Sequence, residues 1–246
     1  MGIETSGVGS GGGGFRTTHW SAVLTAGNEG APGAREALEA LCSAYWYPLY
    51  AFSRHKGYSA EDARDLTQGF FVSLLERRDL AQLDPQRGRF RSFLLASLEH
   101  FIANAEDRAR ALKRGGGRAQ LSIDFDGASA RYEQTAGREL SPQDVFERAW
   151  AVALLERVLG GLRAEYERRG DALSFDTLKG ALTAEGDDTS RREQAERLGT
   201  SEGAVKVAVH RLRARYGTAL REAIASTVAT REDVEDEIRA LFEALG

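Results

Sequence analysis

The chain has 246 residues, a formal net charge of −4, a single cysteine and four histidines that stand far apart. One cysteine excludes an intrachain disulfide and a cysteine zinc cluster, and the histidines lack metal-ligand spacing, so no metal or cofactor is expected. The longest apolar runs are far shorter than a membrane span, and no signal-peptide pattern is visible, so we expect a cytoplasmic protein without a membrane partner.

The first predicted elements are helices that pack as a bundle. Apolar residues spaced by three and four predict a helix from about residue 32 to residue 56. A second helix is expected to begin at Ser59, because Asp62 follows at the spacing of a capping box. A third amphipathic pattern begins near Phe90 and continues into a basic segment. These elements predict one N-terminal helical domain.

A break in the helical pattern separates this bundle from a second unit. Leu121, Ile123 and Phe125 alternate with polar residues, which predicts an extended acidic linker. Ser141 followed by Pro142 restarts a helix, with serine at the cap and proline in the first turn. The expected organisation is all-α, with a glycine-rich flexible tail at 1–16, a first helical domain at 17–113, a linker at 114–140, a second helical domain at 141–228 and an acidic amphipathic helix at 229–246. We expect the apolar stripe of this last helix to dock on the chain's own domains, with docking on a partner as the alternative.

The second domain contains the pattern of a helix-turn-helix. Ser190 and Glu193 predict the start of a short helix that ends at Gly199, and Thr200 or Ser201 can cap the next helix. Four apolar residues of that helix are expected to face inward: Val205, Val209, Leu212 and Tyr216. Five basic residues are candidate DNA contacts: Lys206, His210, Arg211, Arg213 and Arg215. The second helix of this motif enters the major groove. The alternative is an amphipathic helix with an ordinary solvated face.

Three segments resemble a known family in the order in which that family has them. Gly203-x-Val205-Lys206, followed by His210-Arg211-x-Arg213, resembles the promoter-reading helix of extracytoplasmic-function (ECF) sigma factors. These are compact specificity subunits of bacterial RNA polymerase. "SAEDARDLTQGFFVSLLE" resembles the segment that grips the polymerase clamp, and "GRFRSFLLASLEHFIAN" resembles the promoter-melting segment. The resemblance spans most of residues 35–225.

The resemblance implies a transcription initiation factor with core RNA polymerase and promoter DNA as partners. The second domain would read the −35 element, and the first would bind the polymerase clamp and the −10 element. Residues expected to bind polymerase are Glu61, Asp62, Asp65 and Gln68. Residues expected to bind the −10 segment are Arg89, Arg91, Asn104, Arg108, Arg110, Lys113 and Arg114.

Two other functions remain open from the sequence: a helix-turn-helix regulator that does not bind core polymerase, and a helical adaptor that binds only protein. An enzyme is not expected, since the sequence has no nucleophile and base pair, no metal cluster and no phosphate loop, and no small-molecule substrate is implied. Thr67 lies beside the acidic residues, and its phosphorylation would add about −1.5 to −2 charges. An inhibitory partner or a kinase is therefore a further candidate partner, with an ordinary helix threonine as the alternative.

Overall fold

The structure is a computed structural model that describes residues 32, 34–76, 89–111, 123, 125–135, 139–182, 188–225, 227–228 and 232–246. Every regular element in these ranges is helical, which confirms the all-α prediction. The helices are α1 Ala34–His55, α2 Ala60–Glu76, α3 Phe90–Ala111, α4 Ala128–Thr135, α5 Pro142–Arg168, α6 Ala172–Leu178, α7 Asp188–Leu198, α8 Glu202–Ala225 and α9 Asp233–Leu245, with a 3-10 turn at Lys179–Leu182 after α6. The predicted tail at 1–16 lies outside the described residues.

The long helix α5 is the element against which much of the chain packs. Its start is fixed by the predicted capping box: the Asp144 amide donates to Ser141 Oγ over 3.2 Å, and the Ser141 amide donates to Asp144 Oδ2 over 3.1 Å. Pro142 occupies the first turn, where its missing N–H costs nothing. From this start, α5 runs along α1, its most extensive neighbour, and also contacts α8 and α9.

Helices from both predicted domains contribute to one apolar cluster. Its buried members include Tyr45, Phe70, Leu94, Leu154, Ile224 and Leu241, which belong to α1, α2, α3, α5, α8 and α9. The expected docking of the C-terminal helix within the chain is confirmed, because Val234 and Leu241 are buried in this cluster. The division into two domains stays a prediction, and the described helices on either side of the linker share a core.

The prediction of an extended linker over 114–140 is wrong at Ala128–Thr135, which is the helix α4. Phe125 inserts beneath α1, where its ring meets Trp46 edge to face with 5.1 Å between centroids. Gly127, at φ +73°, then turns the chain into α4, and Ala128 is buried beside Tyr50. The alternating apolar pattern that predicted an extended linker therefore ends at Phe125, whose ring is buried against α1.

Among the described helices, none combines the length and the apolar character that crossing a bilayer requires.

Candidate nucleic-acid interface

Two helices, α7 and α8, meet at a short turn whose geometry follows from three residues. Gly199 has φ +61°, a left-handed conformation that glycine adopts without strain. The Thr200 amide donates to the Ala195 carbonyl over 3.0 Å and closes the end of α7. Ser201 begins α8, because its Oγ accepts the Ala204 amide over 3.2 Å. Helix α7 begins at Asp188, earlier than the Ser190 cap suggested.

The inward face of α8 anchors it in a second apolar cluster. Val205 and Leu212 are fully buried there with Ala195 of α7 and Phe175 of α6. Val209 and Tyr216 pack against the cluster and are partly buried. The predicted inward face is therefore confirmed, and the opposite face of the first half of α8 is turned to solvent.

The five basic residues predicted on α8 divide into two groups. All five are exposed, and Arg213 and Arg215 also contact other parts of the chain. Arg213 donates from Nε and Nη2 to the Ala181 carbonyl, over 2.9 and 2.7 Å. Its guanidinium thus ties α8 to the 3-10 turn, and its assignment as a DNA contact stays a prediction.

Arg215 also serves contacts within the chain. Its Nη2 lies 2.6 Å from Glu165 Oε1 and its Nε 3.2 Å from Oε2, a two-point pair between α8 and α5. The hydrogen bonds from Arg215 lower the pKa of Glu165, and the same contact raises the pKa of Arg215. Arg215 is thus held by a carboxylate of α5 while 42% of its side chain stays exposed, and its assignment as a DNA contact stays a prediction.

At the start of α3, the structure contradicts the prediction that Arg91 contacts DNA. Arg91 is 4% exposed, and its Nε donates to Glu147 Oε2 of α5 over 2.6 Å. Its guanidinium also pairs with the buried carboxylate of Glu237 in α9 and lies over the Trp150 ring, 4.2 Å from the centroid. Burial lowers the pKa of Arg91 while Glu147 opposes that shift, and an arginine stays charged throughout the ordinary pH range. Arg91 is thus part of the core.

The other residues assigned to the −10 segment have different placements. Arg89 is partly exposed, and its Nε lies 2.9 Å from Glu237 Oε2. Asn104 is exposed on α3. Arg108 and Arg110 lie in the last turns of α3, and no side-chain position is described for them. Lys113 and Arg114 lie outside the described residues.

The acidic residues predicted to bind polymerase lie on the first turns of α2. Glu61, Asp62 and Asp65 are exposed, and Gln68 is partly buried. Asp62 has a local role as well, since its amide donates to Ser59 Oγ over 3.1 Å and its Oδ2 accepts the Ser59 hydroxyl over 2.6 Å. The sequence thus correctly predicts this cap, and the exposed carboxylates remain available to a partner.

Thr67 lies on the opposite side of α2 from these carboxylates. It is fully buried, and its hydroxyl donates to the Ala63 carbonyl over 2.7 Å. This is the ordinary helix threonine that the sequence left open as an alternative. A kinase would need a conformation in which this hydroxyl is exposed.

Sequence reasoning missed Glu237, although the pattern contained a signal. Glu237 stands three residues after Val234 and four before Leu241, on the apolar stripe of α9. A carboxylate on such a stripe requires a buried cation, because an unpaired buried charge is costly. Within the described residues, no three histidine, cysteine or acidic side chains are arranged to hold a metal ion.

The arrangement at α8 can bind a polyanion. The N-terminal end of the helix has a partial positive charge, Lys206 and Arg211 extend that potential along the exposed face, and His210 adds a hydrogen-bonding imidazole. Comparison of the chain with protein-family models, with curated proteins and with solved structures gave no match.

Proposed function

We propose that this chain is a sigma factor of bacterial RNA polymerase, acting in the cytoplasm to direct the core enzyme to specific promoters. The observation that carries the proposal is the exposed basic face of α8, formed by Lys206, His210 and Arg211 and standing on the rigid turn at Gly199. A helix held at its N-terminal end by a second helix, with its basic face free, has the form of a major-groove reader.

The first half of α8 would read the upstream promoter element. Gly203 and Ala204 are exposed and small, so the backbone of the first turn can approach base edges closely. Lys206 and Arg211 flank this surface and can contact phosphates or donate to guanine. Arg213 and Arg215 would act indirectly, by holding α8 at a fixed angle on the 3-10 turn and α5.

The acidic surface of α2 would bind the polymerase. Glu61 and Asp65 are one helical turn apart and both exposed, so they present two carboxylates on one face. Such a surface suits a basic partner, because complementary charge speeds encounter and orients the complex. This assignment also rests on the resemblance of the segment to the clamp-binding part of ECF sigma factors.

The burial of Arg91 changes which part of α3 we propose to contact the −10 element. Arg91 stabilises the packing of α3 against α5 and α9, so the candidate surface moves toward the C-terminal half of α3. Asn104 is exposed there, and the sequence places Arg108 and Arg110 farther along the same helix. An amide and two guanidiniums suit hydrogen bonds to phosphates and to unstacked bases.

The proposal is tested by adding the purified chain to bacterial core RNA polymerase that lacks other sigma factors. Binding to the core enzyme, together with run-off transcripts from a defined subset of genomic promoter fragments, is the expected result. A chain that binds specific duplex DNA without binding the core enzyme would instead be a helix-turn-helix regulator. A chain that binds protein partners without binding DNA would be an adaptor, and either result would overturn the proposal.

A further inference from the structure

Val207 is a large apolar side chain left in solvent on α8, with half of its surface (50%) exposed. Among the described residues only Leu173 and Phe242 are comparable, and they lie on α6 and α9. The core does not use Val207, since Val205 and Leu212 fill the inward face of the same helix. A β-branched residue at an exposed helix position is also a poorer helix former than alanine. The stability of the fold therefore does not explain why a valine occupies position 207.

The position of Val207 on α8 is central to the exposed face. Steps of three and four residues place four exposed residues in one row, on the side of the helix opposite Val205: Gly203, Val207, His210 and Ala214. Lys206 and Arg211 lie on either side of this row and are exposed. A cation on each flank can hold the phosphates of the two strands, and the row between them then faces the floor of the groove.

The neighbours of Val207 in this row leave half of its surface exposed. Gly203 precedes it by one turn and has no side chain, His210 follows by one turn with a polar imidazole, and Ala214 follows by two turns with a single methyl group. Val207 is thus the side chain that projects farthest from this row without carrying a polar group. It can make a close apolar contact but no hydrogen bond.

We infer that Val207 is a specificity-determining residue that packs against the C5 methyl group of a thymine in the major groove, an inference that rests on the proposed function. Thymine is the base whose major-groove edge has an apolar group. A valine at the centre of a cationic face matches that group in size and polarity, while Lys206 and Arg211 supply contacts that do not depend on the methyl. Sequence preference at one base pair would thus come from apolar contact.

Replacing thymine by uracil tests this inference, because the change removes the methyl group and leaves base pairing unchanged. A duplex selected from a randomised library by the full-length chain, alone and bound to core polymerase, is resynthesised with one uracil at each thymine position in turn. At one position uracil should weaken binding about fourfold, the factor that corresponds to one buried methyl-sized group. Val207→Ala should bind the thymine duplex less tightly by a similar factor and should no longer distinguish thymine from uracil there.

Leu173→Ala is the matched control, since it removes an equally exposed apolar side chain from α6. It should retain the full preference for thymine. Equal thymine preference in Val207→Ala and the unaltered chain would overturn the inference, as would the absence of any methyl-sensitive position. In both cases specific DNA binding and transcription would persist, so the proposed function would stand. Failure to select any duplex, alone or with core polymerase, would overturn the inference and the proposed function together.

Discussion

The guanidinium of Arg91, in α3, pairs with the carboxylate of Glu237, in α9, and both side chains are almost completely buried, at 4% and 1% exposed. Glu147 of α5 approaches the same guanidinium from another side, and Arg89 approaches Glu237. Two positive and two negative groups therefore meet where α3, α5 and α9 come together. The C-terminal helix is held to the N-terminal half of the chain by charge as well as by Val234 and Leu241.

Glu237→Ala should destabilise the protein strongly. The change leaves Arg91 buried with Glu147 alone and removes the partner of Arg89. Loss of one member of a buried pair costs about 3–5 kcal/mol, since the remaining charge is poorly solvated. Urea unfolding followed by circular dichroism measures the difference in the free energy of unfolding.

Glu243→Ala, an exposed position on the same helix, serves as the control and should change stability by less than about 0.5 kcal/mol. The double variant Arg91→Met with Glu237→Leu should recover much of the loss, because apolar groups can replace a buried pair at little cost. Equal stability of Glu237→Ala and Glu243→Ala would show that the buried cluster contributes nothing to stability.

Features set by residues near in sequence were predictable, and features that depend on distant partners were not. The Ser141 and Asp144 box, the cap at Ser59 and the inward face at Val205 follow from spacings of a few residues. The roles of Arg213 and Arg215 depend on a carbonyl of the 3-10 turn and on Glu165 of α5, which no local pattern reveals. On a helical wheel these arginines resemble Arg211, and only tertiary packing separates them.

The segment predicted to be a linker is a second case in which contacts with distant residues could not be predicted from the sequence. An alternating pattern correctly identified Phe125 as an apolar position but gave no information about what would cover it. Trp46 and Tyr50 of α1 provide that cover, and His55 of the same helix donates from Nε2 to the Leu140 carbonyl, 2.7 Å away. The carbonyl can only accept, so Nε2 carries the proton in this contact. Because Phe125 packs against α1, this part of the predicted linker has a defined structure.

Ser141→Ala should lower stability at neutral pH and reduce its sensitivity to acid. Hydrogen bonds from the Ser141 hydroxyl and amide lower the pKa of Asp144 below its ordinary value of 3.8. A carboxyl with a lowered pKa in the folded state adds stability above its unfolded pKa, and that stability is lost as the pH falls through the folded value. Loss of the cap costs about 1 kcal/mol. Urea unfolding at neutral pH and at several values below 3.8 measures both effects.

The difference in the free energy of unfolding between the unaltered chain and Ser141→Ala should shrink as the pH falls below 3.8, because the unaltered chain then loses the stability contributed by the Asp144 carboxylate. Ser92→Ala, at an exposed position early in α3, is the control and should give a parallel pH profile. A constant difference at every pH would contradict the linkage between the cap and the titration of Asp144.

Glu61→Lys with Asp65→Lys should abolish association with core polymerase under the proposed function. Both residues are exposed and neither closes the cap, so the helical content of the chain should be unchanged. Asp62 is left in place because its reversal would also remove the contact with Ser59. Co-purification with core polymerase is the measurement, and Glu133→Lys with Glu139→Lys provides the same change of charge on another exposed surface. Retention of core binding by the first variant would remove α2 as the polymerase contact.

Lys206→Ala and Arg211→Ala should weaken DNA binding, whereas Arg213→Ala and Arg215→Ala should act first on stability. The exposed pair is free to contact DNA, so loss of a base contact should cost about 1–3 kcal/mol and loss of a phosphate contact should lower the salt slope by about 1. Arg215 and Glu165 are partly exposed, and an ion pair of this kind contributes about 0–1 kcal/mol. Salt titrations of DNA binding, paired with urea unfolding, separate the two groups. Salt slopes that fall for Arg213→Ala and Arg215→Ala but not for Lys206→Ala and Arg211→Ala would reverse the assignment of the binding face of α8.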